Sequence, residues 1–268
     1  MPTGDIVLVL TGVADPTADA VITALAAHPV RVARIDTGDF PVNMRLSAAN
    51  HGKGWTGQLR TDHVTVELER VRSVYYRRPT QFTFPAGMSQ ADRAYGCAEA
   101  RVGLGGVLSA LDCLYVNHPH TAARAEYKPL QQTVAARAGL ADAFAASAHC
   151  LQAWVDKACD ARVTMVGRRP YGVAIHDGSP AAHVDWRADY GALRYSPIQP
   201  PAEVTTAMGR YLDLFGLSFG AFDFGITHDG QWLAYECNPN GQWLWLEQRT
   251  NIGISAALAE LLAAGVGE

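Results

Sequence analysis

The fold of the C-terminal half is decided by one stretch of sequence, Phe219-Gly-Ala-Phe-Asp-Phe-Gly-Ile-Thr-His-Asp-Gly-Gln-Trp-Leu-Ala-Tyr-Glu-Cys-Asn-Pro-Asn-Gly241. Two runs of β-forming residues flank the dipeptide Asp229-Gly230. This dipeptide favours a two-residue turn, because both of its positions accept a positive φ. The stretch therefore predicts a β-hairpin in which His228 lies opposite Gln231.

The predicted register sorts the side chains of this hairpin onto two faces. Asp223 is expected directly opposite Glu236, and Ala221 directly opposite Asn238, because side chains alternate along each strand. The face that carries these polar side chains is otherwise lined by small residues, namely Ala221, Gly225 and Ala234. The other face is expected to enter the core and carries Phe222, Phe224, Ile226, Tyr235 and Cys237.

The facing carboxylates predict a cation site. Like charges about 5 Å apart across a sheet are destabilising, so a positive group is expected between Asp223 and Glu236. Two carboxylates and the amide oxygen of Asn238 are hard oxygen ligands that suit Mg²⁺, with substrate phosphates completing the shell. The alternative is a pair of solvated carboxylates on an exposed face, and the residues alone support the two readings about equally.

Composition places the chain among ordinary globular proteins. The 268 residues are 49% hydrophobic and 18% charged with a formal net charge of −4, which excludes disorder and allows one large domain or two small ones. This charge balance argues against a nucleic-acid surface. Five cysteines without CxxC spacing and an N-terminus without signal-peptide features predict a reduced, cytoplasmic protein without a membrane segment.

The order of predicted elements indicates two domains, residues 1–119 and residues 120–268. The first opens as strand, helix, strand, which implies a parallel sheet covered by helices. Its predicted strands are Ile6–Leu10, Val30–Ile35, Trp55–Arg60, Val64–Leu68, Ser73–Arg77 and Cys113–Val116, and its helices are Pro16–Ala27 and a helix from Ser89 toward Leu111. The second adds strands Asp160–Val166 and Tyr171–Ile175 and helices Pro129–Ala138, Ala202–Phe215 and Ser255–Ala264. The fold class is α/β, with α+β character in the C-terminal part.

Three basic residues are candidates for binding phosphate. Lys128 lies at the start of a predicted helix, where a cation opposes the helix dipole; this position suits a lysine that shares an anion with the helix terminus, although a solvated lysine is the alternative. Lys157 and Arg162 follow the short extended segment Gln152–Val155, whose backbone suits hydrogen bonds to a base. For Arg162, a surface strand arginine is equally well supported.

Together these motifs resemble the ATP-grasp superfamily, and more narrowly the ATP-grasp ribosomal peptide maturases that make microviridin-like graspetides. The resemblance is carried by Tyr127-Lys-Pro129, the strand that follows Gln152, the segment His183-Val-Asp-Trp-Arg187 and the terminal hairpin. It implies an ATP-grasp fold with an N-terminal Rossmann-like pre-ATP-grasp domain at residues 1–119 and the ATP-grasp domain at residues 120–268.

The resemblance also implies roles for individual residues. Asp223, Glu236 and Asn238 match the metal triad. The candidate nucleotide contacts are Lys128, Gln152, Ala153, Trp154, Val155, Lys157 and Arg162. The candidate catalytic residues are Arg162, which matches the arginine that stabilises the transferring phosphoryl group, and Asp185 and Arg187, which match an Asp-x-Arg motif associated with the core peptide. Candidate substrate contacts are Arg77, Arg78, Arg187 and Asn240; a structural role for Arg77 and Arg78 is at least as well supported.

The sequence departs from the family between Leu140 and Gln152. The family has a lid subdomain at this point that supplies a second phosphate lysine, whereas here no lysine occurs between Lys128 and Lys157. We therefore expect an ATP-grasp domain that lacks most of the lid, at about residues 140–150.

The implied activity is that of an ATP- and Mg²⁺-dependent peptide ligase. Such an enzyme activates Asp or Glu side chains of a ribosomal precursor peptide, with its leader and core, as acyl phosphates and forms ω-ester or ω-amide cross-links with Thr, Ser or Lys. We expect a homodimer, with neither nucleic acid nor membrane as partner. The alternatives are another ATP-grasp carboxylate–amine ligase and a nucleotide-dead protein that binds a leader peptide.

Overall fold

The chain folds into two compact units in a computed structural model that describes residues 4–141, 154–184 and 186–265. One unit comprises Met1–Pro119 together with Leu258–Glu268, and the other comprises His120–Ala257. The division after Pro119 falls where the sequence suggests a boundary. The end of the chain, however, groups with the N-terminal unit rather than with the C-terminal one.

The first unit contains a parallel sheet and a smaller antiparallel sheet. Its elements are β1 (Ile6–Leu10), α1 (Pro16–Leu25), β2 (Arg31–Ile35), β3 (Met44–Asn50), β4 (Trp55–Thr61), β5 (Thr65–Glu67), β6 (Val71–Tyr76), α2 (Gln90–Ser109) and β7 (Leu114–Val116). The four parallel strands have the order β2-β1-β6-β7. β1 is buried along its whole length, as expected for a central strand of a covered parallel sheet.

The second sheet of this unit has the order β3-β4-β5. The predicted hairpin of β4 and β5 is present, and β3 extends it by pairing with β4 from Met44 opposite Thr61 to Asn50 opposite Trp55. The sequence did not predict β3, because most of its side chains are at least partly exposed and its apolar alternation is weak.

Two hydrogen bonds fasten the end of the chain to this unit. The Ser73 hydroxyl donates to the Leu262 carbonyl at 2.7 Å, and Arg72 donates to the Ala263 carbonyl at 2.9 Å. Ser73 is fully buried, so its hydroxyl needs a partner inside the protein. These bonds explain why the last residues group with the N-terminal unit.

The second unit is built on a five-stranded antiparallel sheet. Its elements are α3 (Pro119–Ala125), α4 (Lys128–Ala138), β8 (Lys157–Val166), β9 (Arg169–His176), α5 (Pro180–Val184), β10 (Arg194–Ile198), α6 (Ala202–Phe215), β11 (Phe219–Thr227), β12 (Trp232–Asn238), α7 (Leu244–Thr250) and the first turn of α8 (Ile254–Ala264), whose residues from Leu258 onward group with the first unit. The strands have the order β10-β9-β8-β11-β12. Helices α4 and α6 pack on one face of the sheet through a core that includes Val134, Met208 and Phe222.

The turn of the β11–β12 hairpin differs from the predicted one. The Thr227 amide donates to the Gln231 carbonyl at 3.0 Å, so the loop consists of three residues, 228–230, rather than two. Gly230 takes the left-handed conformation, with φ of 85°, as is common at the last position of a three-residue loop. Near the turn, the strand partners are consequently displaced by one residue from the predicted register.

A β-bulge at Tyr235 restores the predicted register further along. Phe224 lies opposite Ala234, whereas Asp223 lies opposite Glu236, so Tyr235 is the extra residue of β12. The predicted pairing of Asp223 with Glu236 is therefore correct. The predicted faces of Ala234 and Tyr235 are wrong: Ala234 belongs to the core, and the Tyr235 ring lies over Gly225.

In the parts of the chain that the structure describes, no helix is both long and apolar enough to cross a membrane.

Candidate active site

A row of charged side chains crosses the sheet of the second unit on the face opposite the helices. Arg162 of β8 lies directly across from Asp223 of β11, and Asp223 lies across from Glu236 of β12. Residues paired directly across a sheet share a face, and Lys128 reaches the last member of the row through an ion pair with Glu236. The charges therefore follow the order cation, carboxylate, carboxylate, cation.

Arg162 and Asp223 form a buried ion pair. Arg162 Nε lies 2.9 Å from Asp223 Oδ1, and Nη2 donates to Oδ2 at 3.1 Å. Both residues are about 5% exposed, and Nη1 also donates to the Gln242 carbonyl at 3.3 Å. Because removing one partner of such a pair leaves an uncompensated buried charge, the two side chains hold each other in place.

Lys128 and Glu236 form a second, more exposed ion pair at the start of α4. Lys128 is the first residue of this helix, and Lys128 Nζ contacts Glu236 Oε2. Both side chains keep substantial exposure, 41% and 29%, so solvent screens this pair more strongly than the buried one. A ligand can therefore exchange with either partner at a low desolvation cost.

The helix start is held against β12 by Gln131, a residue that sequence reasoning missed. Its side-chain amide donates to the Cys237 carbonyl at 2.8 Å and accepts from the Cys237 amide at 3.1 Å. Gln131 is 4% exposed. The double hydrogen bond fixes α4 next to Glu236 and Asn238, which flank Cys237 in β12. A polar residue on the buried side of a predicted helix was the available signal.

The donor chemistry of the predicted metal triad suits Mg²⁺. Asp223 and Glu236 offer carboxylate oxygens, and Asn238 Oδ1, which already accepts from the Asn240 amide at 2.9 Å, retains a second lone pair. A Cβ at Gly241 would overlap the Ala221 side chain, so the chain after Asn238 packs closely on the sheet. The described residues contain no group of three or more His, Cys, Asp or Glu side chains that could hold a metal.

The expected positive charge near the two carboxylates is supplied by the protein itself. Arg162 neutralises Asp223 from one side, and Lys128 neutralises Glu236 from the other. The cations predicted to bind phosphate are thus the present partners of the carboxylates predicted to bind metal. If Asp223, Glu236 and Asn238 held a metal, Arg162 and Lys128 would be left to neutralise phosphate.

Lys157 is turned toward Asp160. Lys157 Nζ lies 2.9 Å and 2.7 Å from the two carboxylate oxygens, and both side chains are 7% exposed. Asp160 therefore neutralises the charge that the sequence assigned to nucleotide phosphate. Sequence reasoning missed Asp160, although its position three residues after Lys157 was visible.

The segment predicted to contact the base is described only from Trp154 onward. Val155 is buried, whereas Trp154 is 60% exposed and meets the edge of the His183 ring, with ring centres 5.9 Å apart. Gln152 and Ala153 lie outside the described residues.

The predicted Asp-x-Arg motif is only partly described. Asp185 lies outside the described residues. Arg187 belongs to a short 3₁₀ turn at Trp186–Ala188, and only its backbone is described. Trp186, between them, is buried.

Tyr235 is a further side chain at this face that the sequence did not predict there. A Cβ at Gly225 would overlap its hydroxyl, and Val155 approaches the same point. Burial, together with the charges of Asp160 and Asp223, raises the pKa of Tyr235 to about 12. The phenol is therefore protonated at neutral pH.

Arg77 and Arg78 lie in the first unit. Arg77 is buried, and its Nε lies 3.5 Å from Asp15 Oδ2. Arg78 is exposed, and its carbonyl accepts from the Gly12 amide at 3.0 Å. The contact of Arg77 with Asp15 matches the structural role weighed from the sequence. Asn240 lies in the second unit, at the turn that follows the metal triad.

The fold of this chain is similar to that of solved ATP-grasp ligases. A sequence model of the family "MvdD pre-ATP grasp domain" matches residues 6–123. A search of curated protein sequences found no match.

Three solved structures show the same fold. Macrocyclase MdnC of Microcystis aeruginosa, bound with precursor peptide MdnA, is 22% identical with a TM-score of 0.79, over 96% of this chain and 98% of MdnC. A RiPP-associated ATP-grasp ligase of Chryseobacterium gregarium, in complex with ADP and a leader and core peptide, is 22% identical with a TM-score of 0.84, over 96% of each chain. PsnB, complexed with minimal precursor, Mg and ADP, is 19% identical with a TM-score of 0.73, over 97% of this chain and 96% of PsnB.

These comparisons confirm the resemblance and the fold class predicted from the sequence. The ATP-grasp ligase class predicted for the chain is also the class of the solved structures that share its fold. At identities near 20% the likeness establishes the fold, whereas the chemistry depends on the residues of the site.

Proposed function

We propose that the chain is an ATP-dependent peptide ligase that joins side chains of a ribosomal precursor peptide by ω-ester or ω-amide bonds. The carrying observation is the row of Arg162, Asp223 and Glu236 on one sheet face, which Lys128 of α4 extends through its ion pair with Glu236. This row pairs the carboxylates needed for a metal with the cations needed for phosphate. Precursor peptides, ADP and Mg are found in the solved structures of the same fold, which supports these ligand classes.

The residues of the row would have two different tasks, since the carboxylates would bind the metal and the cations would bind phosphate. Asp223, Glu236 and Asn238 would hold Mg²⁺, which supplies Lewis-acid polarisation of the phosphates when bound. Arg162 and Lys128 would then turn from the carboxylates to phosphate oxygens. Arg162 is assigned to the γ-phosphate, where it neutralises charge that develops during transfer.

The proposed reaction has two steps. An Asp or Glu side-chain oxygen of the peptide bonds to the γ-phosphorus, the bond from that phosphorus to the β–γ bridging oxygen breaks, and ADP leaves. A Thr or Ser hydroxyl, or a Lys amine, then attacks the acyl carbon, loses its proton to a base, and releases phosphate. We assign to Arg187 the orientation of the acyl phosphate, and to Asp185 either the orientation of Arg187 or help in deprotonating the nucleophile.

Several further expectations belong to this proposal. Residues 1–119 would form the pre-ATP-grasp domain, and residues 120–268 an ATP-grasp domain without most of the lid, which would weaken ATP binding. Gln152, Ala153, Trp154, Val155 and Lys157 are proposed nucleotide contacts, and Arg78, Arg187 and Asn240 are proposed peptide contacts. Arg77, the other candidate peptide contact, is assigned the structural role that its contact with Asp15 supports. We further propose a cytoplasmic homodimer without nucleic-acid or membrane partners.

The test is incubation of the full chain with ATP, Mg²⁺ and a short acidic, Thr-rich peptide encoded beside its gene. Mass spectrometry should detect the loss of one water per cross-link, with one ADP released for each. Asp223→Ala should abolish the mass change. The matched control is Asp213→Ala, which removes a carboxylate from an exposed ion pair with Arg168 and should retain it. An unchanged peptide mass with intact binding of Mg²⁺ and nucleotide would contradict the ligase. Peptide binding without any nucleotide binding would favour the leader-binding alternative.

A further inference from the structure

A cluster of aromatic side chains lies beside Arg162 in the second unit. Trp186 stacks on Trp245 of α7, with ring centres 5.3 Å apart and planes 24° from parallel. The edge of Tyr190 meets Trp186 at 5.6 Å, and Tyr195 meets Trp245 at 5.5 Å. Ile175 packs into the same cluster, which fixes the rings against the sheet.

Trp186 is the member of this cluster that contacts Arg162. The guanidinium carbon lies 6.0 Å from the centre of the Trp186 ring, and both residues are 6% exposed. This separation is at the outer limit for attraction between a cation and an aromatic face, and the absence of solvent strengthens such an attraction. Arg162 is therefore held by the Asp223 carboxylate, the Gln242 carbonyl and the Trp186 ring.

The aromatic contact differs chemically from the carboxylate contact. Asp223 uses N–H groups of the guanidinium, whereas an aromatic face restricts the guanidinium plane and leaves its N–H groups available. If a metal takes Asp223, Arg162 loses its ionic partner. Among the described residues, the contacts that then remain to it are Gln242 and Trp186.

We propose that Trp186 is a positioning residue for Arg162. Its ring would restrict the guanidinium plane while Asp223 holds the metal, which would leave the N–H groups of Arg162 free to meet phosphate. This inference rests on the proposed function, because only a protein that binds ATP would bring a phosphate to Arg162. It also gives the turn at residues 186–188 a physical connection to the phosphate end of the site.

The test compares two substitutions of Trp186 with a control in the same cluster. Trp186→Leu removes the aromatic face, Trp186→Phe keeps one, and Tyr190→Leu removes a ring that touches Trp186 without being assigned a contact to Arg162. We expect Trp186→Leu to lower kcat about tenfold with KM for the peptide unchanged. Trp186→Phe should restore most of kcat, and Tyr190→Leu should leave it near the wild-type value.

A double-mutant cycle separates positioning from general packing. In an Arg162→Lys background, which removes the planar guanidinium, Trp186→Leu should cause no further loss of kcat. An equal further loss would overturn the proposal, because Trp186 would then act independently of Arg162. Circular dichroism melts identify variants that fail to fold, in which case the Trp186→Phe variant supplies the comparison.

Nucleotide binding tests the proposal without peptide turnover. Calorimetry with Mg²⁺ should show that Trp186→Leu weakens binding of AMPPNP more than binding of ADP, because Arg162 is assigned to the γ-phosphate. An unchanged ratio of the two affinities would overturn the role of Trp186. A wild-type chain that binds AMPPNP with Mg²⁺ but modifies no peptide would refute the proposed ligase activity. The ratio of AMPPNP and ADP affinities could still be measured and would still test the role of Trp186.

Discussion

Two buried Arg–Asp pairs, one in each unit, serve different purposes. In the first unit, Arg77 lies 3.5 Å from Asp15, and Asp15 also accepts from the Thr11 hydroxyl at 2.8 Å and from two amides at the start of α1. In the second unit, Asp223 pairs with Arg162 and faces a second carboxylate, Glu236. The oxygens of Asp15 are thus committed to holding a helix.

The difference teaches how to distinguish a structural ion pair from a candidate site. In a structural pair, the carboxylate oxygens accept hydrogen bonds from backbone amides and neighbouring side chains. A site pair adjoins further charge of the same sign, here the carboxylate of Glu236 directly across from Asp223. Burial alone does not separate the two cases, because Asp15 and Asp223 are each 5% exposed.

The largest expected effect is at Asp223. Asp223→Asn should lower turnover on the order of a thousandfold, because it removes a negative ligand from a site that stabilises charge in the transition state. The free energy of unfolding should fall, because Arg162 keeps a buried charge, but circular dichroism should still show a folded chain, since an amide can accept from Arg162. The measurement is kcat with saturating ATP and Mg²⁺, and retained turnover would refute the assignment of Asp223 to the metal.

The matched change in the first unit is Asp15→Asn. We expect a loss of about 3 kcal/mol in the free energy of unfolding, because Arg77 would keep a buried charge without its counterion. Urea titrations at pH 7 measure this loss. A variant of unchanged stability would contradict the structural role of the pair.

This stability difference should depend on pH. Burial alone would raise the pKa of Asp15, but the Thr11 hydroxyl and Arg77 outweigh it and the net pKa is lowered. A lowered pKa stabilises the fold above the ordinary pKa of an aspartate, near 3.8, and the benefit disappears as pH falls through the lowered value. The difference in the free energy of unfolding between wild type and Asp15→Asn should therefore become smaller as the pH falls below 3.8.

A smaller effect is expected at Lys128. Lys128→Ala should weaken ADP binding about tenfold in the presence of Mg²⁺, the loss of one charge-assisted hydrogen bond to phosphate. In wild type, ADP and Mg²⁺ should each bind more tightly when the other is present, because together they replace both ion pairs of the row. Calorimetry with each ligand alone and with both measures this coupling, and additive binding would contradict the proposed exchange.

Local patterns predicted the elements that carry the row. The helix Ala202–Phe215 has the predicted bounds, and Gly139 ends α4 in the left-handed conformation. The opposition of Asp223 and Glu236 followed from alternation and one turn signal. These features depend on residues that are close in sequence, so local sequence patterns could predict them.

Other parts of the site depend on contacts between distant strands. Arg162 meets Asp223 because β8 pairs with β11, and no local pattern specifies that pairing. Lys157 was assigned to phosphate by its charge, and its pairing with Asp160 was not predicted. The bulge at Tyr235 breaks the alternation on which the face assignments relied.

The irregular hairpin has a consequence for how its length can change in evolution. Between Asp223 and Glu236 the chain contains a three-residue loop and one bulged residue. Deleting Tyr235 would leave a regular ladder, and deleting one loop residue would leave a two-residue turn; in both cases Asp223 still faces Glu236. Single-residue insertions and deletions can thus accumulate at this end of the sheet without moving the two carboxylates apart.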